Sequence, residues 1–589
     1  MKLAVPYIHE LSPVDVRLIC LAEFLGITCE RIQLFATKEG LLGTLKSAIV
    51  RGKSCLVINP EVIQECVKDE TALSELSNFL GSNYRNLLVH APRPKRFDAK
   101  LVSDLSGGSL REVIEITSDL PCEISRESEE ICGPFAGLAI SRNKATVRTF
   151  AVMFADSDVR KMISIGSGVS LAATKRADTE IVFVGGEEIV DLNDEVGDAP
   201  VSKYFLQFLP HAMALRYIFG KESWHPDEQH ASVIVDDPLL RPNYGFLNFE
   251  KLLHMMKQNR FQTTIAFIPH NARRDSRQIT DMFKENANYF ALCFHGNDHT
   301  DAELASTDTT LLNTMLQIAE RRMHRQREIS GLEYDRVMVF PQGNFSIEAM
   351  AVLKARNFDA AVNTISRPRL QEAHLTFGEI AQPAVLRYAG FPLFLRKNSR
   401  DTRDADIAFN MFFGRPTLIV EHHDAFQHPK CLVDATLRIN AIAPSMRWSS
   451  TGNATSRSIL RRRAEDGTCL VRAYSRTVHV SNQSDSAERF LIEWKDFAPE
   501  VSAVLKNGVP CDFLSSQGGI QTSLQLPPYS EGTFSLVYAN CYSVFKGLGC
   551  RRNVRAFVRR RLSEIRDNYI SKSPSMAAAA KALRRRLVH

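Results

Sequence analysis

Four side chains near the middle of the sequence have the types and spacing of a hydrolytic metal centre. An apolar run, Val233-Ile234-Val235, ends in two adjacent carboxylates, Asp236 and Asp237. Further on, the run from Phe290 to Phe294 ends in two histidines four apart, His295 and His299. Short apolar runs of this kind read as buried strands, and catalytic groups in α/β folds gather where such strands end. Asp and His suit Zn²⁺ and similar divalent ions. A His-x-x-x-His spacing places both imidazoles on one side of a helical turn. One carboxylate as third ligand leaves positions open for water and substrate, and the other carboxylate can take a proton from that water. An Asp pair alone is more often a cap or a turn, and a lone His-x-x-x-His more often surface or core. Both together, in this order and at strand ends, point to a site.

The segment that must position them runs from about 225 to 465. After the Asp pair come a helical stretch, Phe249 to Gln258, and an apolar run, Thr264 to Ile268, stopped by Pro269. Another helix leads to the strand ending at His295, and a long helical pattern follows from Asp308 to Ile329. Then come Val337-Met338-Val339-Phe340-Pro341-Gln342-Gly343, a helix from Ile347 to Asn357 and a short run, Ala360 to Val362. Thr417-Leu418-Ile419-Val420 finally ends in Glu421-His422-His423-Asp424. Repeated strand–helix units closing on polar strand ends predict a (β/α) barrel or a distorted relative of one.

The flanking segments have other periods. Residues 1–220 alternate apolar runs with helical patterns and predict an open α/β domain. Its strands are expected at Leu3–Val5, Cys55–Ile58, Leu87–His90 and Ile181–Val184, and its first helix is capped by Ser12-Pro13 and closed by Gly26. Ile165-Gly166-Ser167-Gly168 reads as a turn, because Leu171 stands where a dinucleotide fingerprint needs its third glycine. Gly185-Gly186 reads as a strand-ending turn. Residues 466–542 carry strand patterns at Leu470–Tyr474, Thr477–Val480, Phe490–Trp494 and Thr533–Tyr538, with Asn507-Gly508 as a hairpin turn, and predict a small β-sandwich.

Charge separates the last segment, 546–589. The chain of 589 residues has a formal net charge of +6, yet Lys546 to the end holds thirteen Lys/Arg against two Asp/Glu, a local +11 that leaves the remainder at −5. Val554, Phe557, Val558, Leu562, Ile565 and Tyr569 fall on one face at helical spacing, with Arg551, Arg552, Arg555, Arg559, Arg560 and Arg566 around the rest. Such a basic amphipathic helix fits an anionic membrane surface or a protein partner, or else packs its stripe on the sandwich with its arginines solvated. Ala577 to Ala580, followed by Arg584-Arg585-Arg586, reads as a second short helix or a frayed end. Nucleic acid is not an expected partner, since no aromatic interleaving accompanies the charge. No run is long and apolar enough to span a bilayer, the N-terminus lacks the apolar core of a secretory signal, and the twelve cysteines show no Cys-x-x-Cys pair. These features together predict a cytoplasmic protein, at most peripheral to a membrane.

From Ser232 to Phe426 the sequence resembles the NodB-type polysaccharide deacetylases, carbohydrate esterase family 4. The resemblance implies a distorted (β/α) barrel and a metal-dependent hydrolase that removes N-acetyl groups from an amino-sugar-containing glycan. The Asp-Asp motif of that family maps onto Asp236 as general base and Asp237 as metal ligand. Its His-(Ser/Thr)-x-x-His motif maps onto His295-Gly296-Asn297-Asp298-His299, with Gly in the second place and both histidines as ligands. A competing register beginning at His299-Thr300 would put Glu303 where the second histidine belongs; the first register is preferred because it supplies both. The Arg-x-Pro-Tyr-Gly motif appears as Val339-Phe340-Pro341-Gln342-Gly343. Pro341, Gln342 and Gly343 are thereby expected at the substrate, with the Gln342 N–H helping to hold an oxyanion. The missing arginine leaves Asp236 without its usual partner. The family's tryptophan motif has no counterpart, because Trp224, Trp448 and Trp494 lie elsewhere. The last motif supplies a general acid, either His423 or His422, with His423 preferred. Zn²⁺ is the expected ion, with Co²⁺, Mn²⁺ or Ni²⁺ as alternatives. Two other readings stay open: a non-catalytic carbohydrate-binding member of the fold, or a metal amidohydrolase acting on a non-glycan amide.

Overall fold

The computed structural model describes all residues except 36–37, 51–53, 68, 117–118, 142–148, 155–158, 186–188, 198–200, 301, 372–373, 496–500, 517, 540–553 and 573–589. Gly186 of the paired glycines, the Ala577–Ala580 and Arg584–Arg586 stretches, and Arg551 and Arg552 lie outside the described residues. Two compact units divide the chain. The first comprises Met1–His225 with Thr376–Ala381 and Arg461–Leu470, and the second comprises Pro226–Leu375, Gln382–Leu460 and Val471–His589.

In the first unit the four expected strands form and, with a further strand Cys29–Gln33, pair in parallel in the order Cys29–Gln33, Lys2–Tyr7, Ser54–Ile58, Asn86–His90, Thr179–Val184. Helices against a parallel sheet bury both of its faces, so its strands read as unbroken apolar runs. Leu3, Leu56, Leu88 and Val182 are accordingly buried. The Ser12 hydroxyl accepts from the Asp15 N–H at 3.2 Å and starts the helix Pro13–Phe24. The Gly166 turn joins two antiparallel strands, Arg160–Ile165 and Gly168–Arg176, in place of a phosphate-binding loop before a helix.

The second unit is built on a parallel, barrel-like sheet. Its order is Leu393–Leu395, Ala360–Asn363, Asp335–Val339, Phe290–His295, Thr263–Phe267, His230–Asp236, Thr417–Glu421, Lys397–Asn398. The first and last strands of this order flank a single residue of the chain, Arg396, so the sheet nearly closes on itself there. Leu393-Phe394-Leu395 is a short apolar run and Lys397–Asn398 is not, and the sequence reading passes from Val362 to Thr417 without either. The helices come where the spacing places them. Phe249–Asn259 is capped by Asn248, whose side chain accepts from Lys251 N–H, and Thr309–Ser330 is capped by Asp308. Two further helices that the sequence reading omits, Asp404–Phe413 and Lys430–Ile442, flank the last long strand.

Beyond residue 470 the strands are antiparallel. Glu488–Lys495 pairs with Gly519–Leu526, and Glu531–Tyr538 pairs with Thr477–Ser481 and Val501–Lys506. Asn507 and Gly508 both adopt positive φ, 50° and 83°, which is the requirement of the tight hairpin between Val501–Lys506 and Val509–Cys511. Among the described residues no helix is long and apolar enough to cross a membrane.

Candidate metal centre

Strand His230–Asp236 is buried along its whole length and delivers Asp236 at its C-terminal end. Asp237 follows in a left-handed conformation, φ 79°, which L-residues seldom adopt without compensation from their surroundings. Two strands away, Phe290–His295 delivers His295, and the loop after it brings back His299. One ligand atom from each of Asp237, His295 and His299 lies within 4.8 Å of the other two. His295 Nε2 and His299 Nε2 approach the same carboxylate oxygen, Asp237 Oδ1, at 3.3 and 3.1 Å.

The donor set fits a divalent ion. His295 Nδ1 lies 3.0 Å from the Val339 carbonyl, which fixes a proton on Nδ1 and points Nε2 at Asp237. Burial drives the His299 pKa down to about 4, so its ring is neutral and able to ligate at neutral pH. Burial alone would raise the Asp237 carboxyl, but the two imidazoles and Arg560 hold it well below the usual carboxylate range. Its Oδ1 is buried and accepts no hydrogen bond among the described residues, as a ligand atom would.

The loop between the two histidines explains the glycine in the motif. Gly296 has φ 61°, and a Cβ there would lie 2.0 Å from Glu303 Oε1 and 2.5 Å from Pro341 Cγ. Glu303 occupies that space because its carboxylate organises the turn. Oε1 accepts from the N–H groups of Asn297 and His299 at 2.8 and 3.1 Å, and Oε2 accepts from Asp298 N–H at 3.0 Å. Glu303 is thus not grouped with the ligand atoms, and the geometry favours the His295/His299 register. Motif spacing offered Glu303 only as a rival ligand; its turn-forming role needed the folded loop to be seen.

Asp236 has a partner after all. The Arg396 guanidinium grips it with two parallel hydrogen bonds, Nη1 to Oδ1 at 2.8 Å and Nη2 to Oδ2 at 2.6 Å, with both side chains buried. Burial would raise the Asp236 pKa, but Arg396 and then His295 lower it below its ordinary value. The expectation that Val339 leaves this carboxylate alone is therefore corrected. The arginine comes from the closure of the sheet rather than from the motif, directly after the short apolar strand Leu393–Leu395.

The remaining expected residues separate. Pro341–Gly343 forms one short turn with Gln342 left-handed at φ 57°, and Asn363 Nδ2 holds the Gly343 carbonyl at 2.9 Å. His422 has its side chain 51% exposed, with Nε2 3.9 Å from Asp236 Oδ2. His423 is 13% exposed and turned away: its Nε2 lies 3.4 Å from Asp567 Oδ1, and its ring meets Tyr244 edge-on at 5.6 Å. Its Nδ1 is buried without a hydrogen bond, against Gly245, whose Cβ would fall 2.2 Å away.

Asp567 belongs to the basic tail, whose described residues form the helix Val554–Ile565 and a π turn, Arg566–Ile570. Its polar side packs beside the site. Arg560 Nη2 donates to the Asp237 carbonyl at 2.7 Å, Glu564 pairs with Arg274 at 2.6 Å, and Tyr244 Oη donates to Asp567 at 3.0 Å. Arg560 is therefore buried, where a solvated arginine is expected, and the apolar stripe does not supply the packed face.

No protein-family model matches the sequence, and no curated protein matches it. In structure the chain is similar to Agd3, a carbohydrate deacetylase, at 10% identity and a TM-score of 0.47, covering 91% of this chain and 98% of that one. It is also similar to a family 4 carbohydrate esterase from Streptomyces lividans, at 12% identity and TM-score 0.25 over 38% and 93% of the two chains. A third likeness is to BA3943, a family 4 pseudoenzyme from Bacillus anthracis, at 11% identity and TM-score 0.24 over 38% and 64%. None of these scores by itself assigns an activity to this chain.

Proposed function

We propose that this chain is a divergent NodB-type deacetylase, a metal-dependent hydrolase that removes N-acetyl groups from an amino-sugar-containing glycan. The observation that carries the reading is the convergence of Asp237, His295 and His299 on one point beside Asp236, itself clamped by Arg396. Asp237, His295 and His299 would hold the ion, with Zn²⁺ favoured by the one-carboxylate, two-imidazole donor set. When bound, such an ion supplies Lewis acidity that polarises a carbonyl and makes water easier to deprotonate.

The protein's own groups perform the rest. Asp236, kept ionised by Arg396, accepts a proton from the attacking water. The Gln342 N–H, presented by its left-handed turn, offers a hydrogen bond to the developing oxyanion. His422, half exposed and next to Asp236, donates a proton to the departing amine nitrogen, and the products are acetate and a free amino sugar. His422 takes this role in preference to His423, because His423 is largely buried with its Nε2 facing Asp567. The antiparallel strands after residue 470 read as an accessory β-sandwich. One face of Thr477–Ser481 and of Glu488–Lys495 is buried at alternate positions, as a sandwich strand requires.

The test is acetate release by zinc-loaded protein from a panel of N-acetylated oligosaccharides, beside an Asp236→Asn control. Turnover lost in the control supports the reading. Turnover that survives Asp236→Asn, or none on any acetylated glycan from protein that holds zinc, overturns it.

A further inference from the structure

The tail helix faces the wrong way for a helix that merely packs. Its buried described residues are Arg560, Glu564 and Asp567, all polar and paired with the Asp237 carbonyl, Arg274 and Tyr244 respectively. Four apolar residues point outward: Val558 is 49% exposed, Leu562 61%, Ile565 49% and Tyr569 68%. These four follow one another at spacings of four, three and four. Val558, Leu562 and Ile565 lie in the α-helix and, at about 100° per residue, fall within an arc of about 60° opposite the docked polar face, and Tyr569 follows in the π turn.

Cations border this stripe on both sides. Arg561 lies along one edge and Arg566 along the other. Arg561 rests on the Phe557 ring and reaches Glu564, and Arg566 contacts Asp567, yet 49% and 63% of their side chains stay in solvent. The tail's two acids, Glu564 and Asp567, are both turned inward and buried. The outward face therefore offers apolar side chains and positive charge with no carboxylate among its described residues.

We propose that this face is a docking surface for an anionic lipid bilayer. An interfacial helix buries a narrow apolar stripe at the headgroup boundary while flanking Arg and Lys extend to the phosphates. A protein groove would need no cation on both flanks of a stripe one helix wide, whereas an anionic surface rewards each of them. Because the opposite side of the same helix holds the Asp237 carbonyl, binding brings that loop within about one helix diameter of the lipid, 10–12 Å. The proposal does not depend on the reaction assigned to the site.

Flotation of the full-length protein with vesicles of phosphatidylcholine, pure or mixed 7:3 with phosphatidylglycerol, tests it. Binding to the mixed vesicles is expected, at least tenfold weaker to pure phosphatidylcholine. Leu562→Glu/Ile565→Glu, both at exposed positions, should reduce binding at least tenfold with an unchanged circular dichroism spectrum. Failure to bind the mixed vesicles overturns the proposal, as does equal binding to both lipids or equal binding by the variant. Dimerisation in solution that this variant abolishes, without vesicle binding, would assign the stripe to a second copy of the chain.

Discussion

Arg396 and Asp236 form a buried, bidentate ion pair, 2.8 and 2.6 Å, at the point where the parallel sheet closes. Such a pair is costly to desolvate and costlier to break, because the remaining charge is left buried alone. Its value to the site is electrostatic: it keeps a fully buried carboxylate ionised.

Replacing the arginine should therefore act through pH as well as rate. In Arg396→Met, burial is no longer opposed by the guanidinium, and the Asp236 pKa rises. Since the ionised form is the one that accepts a proton, the acid limb of kcat/KM should move to higher pH. Activity near neutrality should fall by about 10²–10⁴-fold, the usual worth of a positioned base. Arg396→Lys, which keeps charge but loses the fork, should retain the wild-type acid limb with a smaller rate loss. An unmoved acid limb in Arg396→Met would show that Asp236 does not set it.

The two adjacent histidines should separate by phenotype. His422→Gln is expected to lower kcat about 10²-fold or more with unchanged thermal stability, because its side chain is half exposed. His423→Gln removes a partner of Asp567 and a ring packed on Tyr244. It should lower Tm, with a cost of about 1–3 kcal/mol, and reduce kcat less. The reverse pattern would reassign the acid to His423.

Gly296→Ala tests the turn that carries His299. The added methyl meets Glu303 Oε1 at 2.0 Å in a left-handed backbone, so the Glu303 carboxylate must leave the N–H groups it organises. A stability loss of about 2–4 kcal/mol is expected, together with a 10–100-fold weaker zinc affinity by competition with a chromogenic chelator. Unchanged affinity would mean that His299 is not held by this loop.

Asp275 gives a prediction on stability alone. Burial pushes its carboxyl up to about 7, although Gln326 hydrogen-bonds to it. A folded-state pKa above the unfolded value near 4 means that the folded protein binds the extra proton. This contribution is fully present below about pH 4 and is lost as pH rises through 7. Asp275→Asn, which cannot ionise, should gain in Tm relative to wild type as pH goes from 5 to 8, by differential scanning fluorimetry. A difference between the two proteins that stays constant over that interval would contradict the assignment.

Local chemistry determined a good deal of this protein. The long strands of the barrel-like sheet are apolar runs, as burial on both faces requires, and three of the expected helices carry their own caps, Ser12, Asn248 and Asp308. The Asp-Asp and His-x-x-x-His pairs announce themselves because their ligand types sit at strand ends. What tertiary structure alone decided is how those ends meet. Arg396 reaches Asp236 through sheet closure, between two short strands at opposite ends of the strand order. Glu303 serves the loop rather than the ligand cluster because Gly296 leaves it room. The tail's heptad-like stripe was legible, but which face would dock was not. A periodicity fixes that two faces differ, whereas the choice between them depends on what the opposing surface offers. Here that surface is polar, made of Arg274, the Tyr244 hydroxyl and the Asp237 carbonyl, and it takes the helix by its charges.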